Sequence, residues 1–262
     1  MFVVSIVDLA TTPEAEAQAL AESLGGTAYE HRLRLSAGSP ANVLVTADQE
    51  LAARTLAQLR ARGHGAVLLD GETVVASEQM ISMRHFRIDS DEVTIEGPTA
   101  KRLPASDVLA LLRALHRTRT DTRAEVKTKS FSLGRALATG GLMASKTTKR
   151  EELSSSAETE PVLYVFRASG ATPWLLRERA TNYSALGREL APSSMQNFLT
   201  TVRRLRELAP QAIYDERLLS LRVASGPPAT RRGIADETRT SSTASAIDIA
   251  AHALALWIRE RA

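Results

Sequence analysis

Six of the 11 aromatic residues of this 262-residue chain lie in one stretch, residues 160–216. Apolar and polar residues alternate over 162–167, which predicts a strand, and a second apolar run begins at Trp174. Residues 194–208 then place apolar side chains at helical spacing, namely Phe198, Val202, Leu205 and Leu208. We therefore predict a strand pair closed by a helix, with the large aromatic side chains in the core between them rather than in a ligand groove.

The first 76 residues contain two successive strand-helix-strand patterns. Strands are predicted at 2–9, 27–35, 42–46 and 66–69, and helices at 13–24 and 48–59. In the second strand, polar residues alternate with Tyr29, His31, Leu33 and Leu35. This order matches the ferredoxin-like βαββαβ arrangement, a four-stranded sheet with two helices on one face, and we predict such a domain over residues 1–76. The alternative, a small flavodoxin-like sheet, would need one more helix.

Residues 83–221 have the pattern of a β domain. Short β-rich segments flank Ser90-Asp91-Glu92, which predicts a hairpin, and alternation over 123–131 predicts a further strand. The signals over 106–117 conflict, because the leucine spacing suits a helix while the Thr-rich continuation suits a strand. We favour a strand that continues towards Thr120.

Several strands followed by one amphipathic helix, together with the phrase Arg102-Leu103-Pro104-Ala105-Ser106-Asp107-Val108, resemble a short bacterial pleckstrin-homology-like (PH-like) domain over residues 83–210. The resemblance implies a β-barrel or sandwich of two nearly orthogonal sheets, closed at one end by helix 194–208. With the N-terminal domain, it implies an α+β chain. Members of that family bind lipids, peptides or other proteins, or only assemble.

Three further segments complete the predicted organisation. Residues 138–160 have little apolar content and are predicted to form a mobile loop. Residues 222–245 are rich in Pro, Gly, Ser and Thr and are predicted to form a flexible linker. Residues 246–262 are predicted to form an amphipathic helix, and the sequence leaves open whether it docks on the body or binds a partner.

The positive charge of the chain is concentrated in one segment. The net charge is +3, yet residues 101–150 carry 12 Lys and Arg against three Asp and Glu. Such a segment can attract RNA, DNA or an anionic lipid, although Phe131 is its one aromatic residue and base stacking is not expected. The other interpretation is an ordinary solvated face opposite an acidic N-terminal region. The possible anion-binding residues are Arg113, Arg117, Arg119, Arg123, Lys127, Lys129, Arg135 and Lys146.

No segment carries a complete catalytic or metal-binding motif. The absence of cysteine excludes disulfides and thiolate sites, and the five histidines form no HxxH or HExxH pair. Residues 140–147 resemble a phosphate-binding loop, but Ser145 stands where the second glycine is needed and no helix pattern follows. There is no G-x-S-x-G motif.

These features predict a non-enzymatic binding or scaffolding protein without a cofactor, with another protein as its partner. One alternative is a binder of nucleic acid or an anionic membrane surface through residues 101–150. Another is an enzyme whose site has no recognisable motif. Because no window approaches the roughly 18 apolar residues of a membrane span and residues 1–18 lack the pattern of an export signal, we expect a soluble cytoplasmic protein.

Overall fold

The computed structural model describes residues 1–97, 100–131, 145–232 and 236–262. The chain forms two compact units. The first unit comprises Met1–His116, Glu160–Ala224 and Thr243–Ala262, and the second comprises Arg117–Thr159 and Ser225–Ser242. Among the described residues, no helix is both long enough and apolar enough to span a membrane.

The N-terminal part of the first unit is a three-stranded antiparallel sheet with helices. Strand β1 (Phe2–Asp8) lies between β2 (Ala41–Thr46) and β3 (Gly65–Asp70). The helices are α1 (Pro13–Leu24), α2 (Ala28–Ser36) and α3 (Gln49–Ala61). Thr12 caps α1 and Asp48 caps α3, each accepting a hydrogen bond from the backbone N–H three residues later.

Residues 27–35, predicted as a strand, form helix α2 instead. The Thr27 hydroxyl accepts from the Glu30 N–H at 3.2 Å, and the Glu30 carboxylate accepts from the Thr27 N–H at 3.1 Å, which is a capping box. Burial follows the helical spacing, with His31 and Leu35 buried and Tyr29 and Leu33 exposed. The N-terminal sheet therefore has three strands, and the ferredoxin-like arrangement is not confirmed.

The remaining strands form two further sheets. Their bounds are β4 (Ile81–Ser82), β5 (Phe86–Ile88), β6 (Glu92–Ile95), β7 (Lys101–Pro104), β8 (Val108–Phe131), β9 (Ser145–Arg167), β10 (Trp174–Arg177), β11 (Ile213–Asp215), β12 (Ala229–Arg232) and β13 (Asp236–Ser242). One sheet has the order β5-β6-β7. The other has the order β12-β13-β8-β9-β10-β4, with β11 beside β8. The predicted hairpin is confirmed as β5 and β6, and the strand favoured within 106–117 is confirmed as β8.

Two helices cover the sheets of the first unit. Helix α4 (Ser194–Leu208) matches its predicted bounds, and its buried apolar residues pack in one cluster with residues of β6, β9 and β10 that include Trp174. Helix α5 (Ala244–Arg259) packs in another cluster that joins Val3 and Val67 to Tyr164. The C-terminal helix therefore docks on the body. Residues 1–76 share this core with the larger sheet.

Two segments predicted to lack regular structure form strands. Residues 145–160 of the predicted loop belong to β9, while residues 138–144 lie outside the described residues. The predicted linker, 222–245, contains β12 and β13, and β13 pairs antiparallel with β8. Apolar alternation did not indicate these strands because the described residues of the second unit belong to none of the apolar clusters.

Candidate binding surface on the second unit

The register of β8 and β13 divides the sheet of the second unit into two chemically different faces. Successive residues of a strand point to opposite faces, and directly opposite residues share a face. One side, the threonine face, pairs Thr118 with Ser242, Thr120 with Thr240 and Thr122 with Thr238. The other side, the charged face, carries Arg119, Asp121, Arg123, Glu237 and Arg239, with Ser241 opposite Arg119.

Cross-strand pairing joins the described strands of the second unit. None of the three clusters of buried apolar side chains includes a described residue of this unit. Threonine has a high β propensity, and each cross-strand threonine pair contributes roughly 0.2–1 kcal/mol. Arg119 and Arg239 on the charged face are exposed and therefore accessible to a partner.

The charged face carries opposite charges at directly opposed positions. Asp121 lies opposite Arg239, and Arg123 lies opposite Glu237. Along the strands, Arg119 Nε lies 3.1 Å from Asp121 Oδ1, and Arg239 Nε donates to Glu237 Oε1 at 2.8 Å. The arginine side chains nevertheless remain 63% and 61% exposed for Arg119 and Arg239. The acidic residues therefore orient the guanidinium groups without covering them.

Asp121 is a fixed negative charge. A hydrogen bond from the Ser155 side chain and pairing with Arg119 lower the pKa of Asp121. A carboxylate with a lowered pKa stays ionised at neutral pH and is a poor proton acceptor. Its arrangement suits positioning of a cation rather than general acid or base catalysis.

A cleft of about 430 Å³ lies on this unit. It is lined by three arginines, two acidic residues, two serines, a threonine and one leucine from β8, β9 and β13. Leu153, the leucine, is 74% exposed. The lining residues are Arg119, Asp121, Thr122, Arg123, Leu153, Ser154, Ser155, Glu237 and Arg239.

The structure distributes the predicted anion-binding residues over several environments. Arg113 belongs to the first unit, where its side chain is 20% exposed and Nη1 donates to Glu216 Oε1 at 2.8 Å. Arg117, Arg119 and Arg123 lie on β8 in the second unit and are exposed. Only the backbone is described for Lys127, Lys129 and Lys146, and Arg135 lies outside the described residues.

Charge follows the division into units. The second unit carries 12 Lys and Arg against seven Asp and Glu, a net charge of +5, which leaves −2 for the first unit. Sequence reasoning missed Glu237 and Arg239, because β13 was assigned to a linker. A usable signal was present, since the triplet Thr-Arg-Thr occurs at 118–120 and again at 238–240.

A second polar cluster, the buried polar network, lies in the core of the first unit. The Asp248 carboxylate accepts three hydrogen bonds, from the Ser77 N–H at 2.9 Å, the Ser77 hydroxyl at 2.5 Å and the Tyr164 hydroxyl at 2.6 Å. His116 Nε2 lies 2.7 Å from the Tyr164 oxygen. His252 Nε2 accepts from the backbone N–H two residues before Ser77 at 3.2 Å, so its Nδ1–H donates to the Asp248 carbonyl at 2.8 Å.

Burial sets the protonation of this network. Burial, together with the charge of Asp248, raises the pKa of Tyr164, and burial lowers the pKa of both His116 and His252. Because Ser77, His116, Tyr164 and Asp248 are all buried, we interpret the network as structural. Within the described parts of the chain, no group of three or more His, Asp or Glu residues could hold a metal ion.

Comparison of the chain with models of protein families, with curated proteins and with solved structures found no match.

Proposed function

We propose that this protein is a non-enzymatic binding protein and that the cleft on the charged face of the second unit takes an acidic segment of a partner protein. The observation that carries the proposal is the cleft itself, where Arg119, Arg123 and Arg239 are brought together from two strands. Its setting has a net charge of +5, which attracts a negatively charged partner and speeds the encounter.

A partner protein suits the charged face better than a uniformly anionic polymer does. Asp121 and Glu237 stand among the arginines, and a phosphate backbone or a lipid surface would meet these carboxylates as like charges. An acidic polypeptide also carries amides, hydroxyls and occasional cations that can pair with them. Phe131 is the one aromatic residue in the sequence of this unit, so stacking of bases has little support.

The exposure of the charged face supports the same proposal, because the side chains of Arg119 and Arg239 are 63% and 61% exposed. No described residue of the second unit belongs to an apolar cluster. A partner that covers the charged face would bury these exposed side chains. The gain in stability on binding would then appear as a thermal shift that depends on partner concentration.

The test is site-specific crosslinking from the cleft of the full chain. A photoreactive benzoylphenylalanine replaces Leu153, which lines the cleft, is 74% exposed and shares the face of Ser155. The crosslinked polypeptide is isolated from an extract of the native cells and identified by mass spectrometry. The same experiment is repeated with Arg119→Gln, Arg123→Gln and Arg239→Gln combined. We expect an acidic polypeptide whose yield falls at least tenfold in the triple variant and falls with rising salt.

A matched control keeps the charge change but moves it to the first unit. Three exposed arginines are replaced by Gln, namely Arg54, Arg102 and Arg188. This variant should crosslink as the wild type does. Equal loss in both variants, or no crosslinked polypeptide, contradicts the proposal.

Two anionic probes separate the alternative function. Heparin and phosphatidylserine vesicles are tested with the same variants at about 150 mM salt, where weak surface attraction is largely screened. We expect little retention of the wild type. Strong retention that requires the cleft arginines would instead favour a nucleic-acid or membrane-surface binder.

A further inference from the structure

Another cleft, of about 290 Å³, lies wholly within the first unit. Residues of β11 and of α5 line it, and we call it the α5 cleft. Ile213, on β11, is 50% exposed. The volume is close to the lower end of the roughly 300–1,000 Å³ of small-molecule sites, which are mostly apolar with a few convergent polar groups. The apolar lining of the α5 cleft consists of Leu109, Ile213, Leu254, Trp257 and Ile258.

The indole ring of Trp257 is held in place in the α5 cleft by its neighbours. Its Nε1–H donates to Asp8 Oδ2 at 3.1 Å, and the Arg261 guanidinium carbon lies 5.0 Å from the ring centroid. Gly65 allows the close approach of the ring, because a Cβ there would lie 2.6 Å from Trp257 Cζ2. A side chain that is already fixed loses little conformational freedom when a ligand packs against it.

The two carboxylates of the α5 cleft are already hydrogen-bonded at every oxygen. Asp8 Oδ1 accepts from Arg217 Nη1 at 3.0 Å, and Asp8 Oδ2 accepts from the indole of Trp257. Asp215 Oδ1 accepts from the Arg217 backbone N–H at 2.8 Å, and Asp215 Oδ2 accepts from Arg217 Nε at 2.8 Å. These contacts fix the position of the Arg217 side chain.

The guanidinium groups of the α5 cleft retain donors. Among the described residues, the hydrogen bonds of the Arg217 side chain use Nε and Nη1, and its Nη2 has no partner. The Arg261 side chain is 64% exposed, and its Nη1 lies 3.6 Å from Asp8 Oδ2, which is too far for a hydrogen bond. The capacity that remains is therefore that of N–H donors with positive charge, which suits an anion.

We propose that the α5 cleft binds a small organic carboxylate with an apolar body about the size of one substituted ring. The body packs against Ile213, Leu254 and Trp257, and the carboxylate accepts hydrogen bonds from Arg217 and Arg261. A single carboxylate can contact the guanidinium groups alone, whereas a polymer of repeated negative charges would also meet Asp8 and Asp215.

This site is independent of the proposed function. The α5 cleft uses residues of the first unit only, whereas the binding of an acidic segment uses the charged face of the second unit. Neither proposal requires the other.

The test is a titration of the isotope-labelled full chain with para-tert-butylbenzoate, followed by the indole N–H signals in nuclear magnetic resonance spectra. The chain has two tryptophans, and Trp257→Phe assigns their signals. The signal of Trp257 should move, whereas that of Trp174, which is fully buried and does not line the cleft, should stay in place. The Kd should be about 1 mM or lower, as for other ligands of this size.

Two changes separate the charged from the apolar part of the site. The neutral para-tert-butylbenzamide has nearly the same shape and should bind at least about tenfold more weakly than the benzoate. Arg261→Gln should weaken binding of the benzoate about fivefold and leave the shift caused by the benzamide unchanged. Ile213→Asp places a carboxylate in the apolar wall and should weaken binding of the benzoate at least about tenfold.

Matched controls make the same substitutions away from the α5 cleft. Arg188→Gln and Leu190→Asp change exposed residues of the first unit and should leave the Kd unchanged. The combined replacement of Arg119, Arg123 and Arg239 by Gln should also leave it unchanged. An unaltered Trp174 signal shows that each variant is folded.

Several outcomes would overturn the proposal. They are a Trp257 signal that does not move at about 10 mM benzoate, tenfold above the expected Kd, a benzamide that binds as tightly as the benzoate, and an Arg261→Gln or Ile213→Asp chain that binds as the wild type does. Loss of binding in the chain without the three arginines of the charged face would also overturn it, because the probe would then bind the second unit.

Discussion

The Tyr164 hydroxyl connects two parts of the buried polar network, so its removal tests whether that network stabilises the first unit. In Tyr164→Phe the ring remains and only the oxygen is lost. Asp248 loses a hydrogen bond of 2.6 Å and keeps the two from Ser77. The lost hydrogen bond to a carboxylate is worth about 1.5–3 kcal/mol. The His116 Nε2–H, 2.7 Å from the oxygen, is left buried without its acceptor, which costs about 1–3 kcal/mol more.

The expected loss is therefore about 3–5 kcal/mol of the free energy of unfolding. Urea unfolding followed by tryptophan fluorescence measures it, because both tryptophans of the chain, Trp174 and Trp257, lie in the first unit. The midpoint should fall without a change in the slope of the transition, since the surface exposed on unfolding is the same.

The control is the same chemical change at an exposed position. Tyr29 is 61% exposed, and Tyr29→Phe should alter the free energy of unfolding by less than about 0.5 kcal/mol. If Tyr164→Phe costs no more than Tyr29→Phe, the hydroxyl does not stabilise the core and the reasoning about the network fails.

Three more predictions concern the first unit. Because burial lowers the pKa of His252 and of His116 below the usual 6.5, the unfolded chain binds protons that the folded chain does not. Stability should therefore be constant only at pH values well above 6.5, begin to fall as the pH approaches 6.5, and fall below it with a slope of up to about 2.7 kcal/mol per pH unit. His252→Gln should halve this slope, which urea midpoints between about pH 5 and 8.5 would measure. Gly65→Ala should cost about 1–3 kcal/mol of the free energy of unfolding, because a Cβ there would lie 2.6 Å from Trp257 Cζ2. Adding Trp257→Leu to the same chain should recover most of the lost melting temperature. Trp174→Ala should cost about 3–5 kcal/mol of the free energy of unfolding. Trp174→Phe should cost less than about 1.5 kcal/mol, because the buried indole N–H that it removes has no hydrogen-bond partner among the described residues. Equal melting temperatures for the two variants would contradict this prediction.

The elements that bury one face were predictable from the sequence. Helix α4 shows why, because Phe198, Val202 and Leu205 recur at the helical period and all three are buried. Helices α1 and α3 start at their capping residues, Thr12 and Asp48. Where a side chain must face a core, the geometry of the backbone imposes its period on the sequence.

In helix α2 the same apolar residues fit both the period of a strand and the spacing of a helix. Tyr29, His31, Leu33 and Leu35 alternate as in a strand, yet the pairs His31 and Leu35, and Tyr29 and Leu33, are also four residues apart. The capping box of Thr27 and Glu30 distinguishes the two, because its reciprocal hydrogen bonds exist only at a helix start. The spacing of Thr27 and Glu30 in the sequence therefore indicates a helix start, whereas the apolar period alone does not distinguish helix from strand.

In the second unit, β12, β13 and residues 145–159 of β9 were not predictable from hydrophobic periodicity, because none of the described residues there belongs to an apolar cluster. Its strands are marked instead by threonine at every second position, as in Thr118, Thr120 and Thr122, with charged residues between them. Such a pattern stabilises a sheet through cross-strand pairs and leaves the faces hydrated. The proposed binding cleft on the charged face lies in this part of the chain for the same physical reason. Side chains that are not committed to a core of their own are the ones that remain available to a partner.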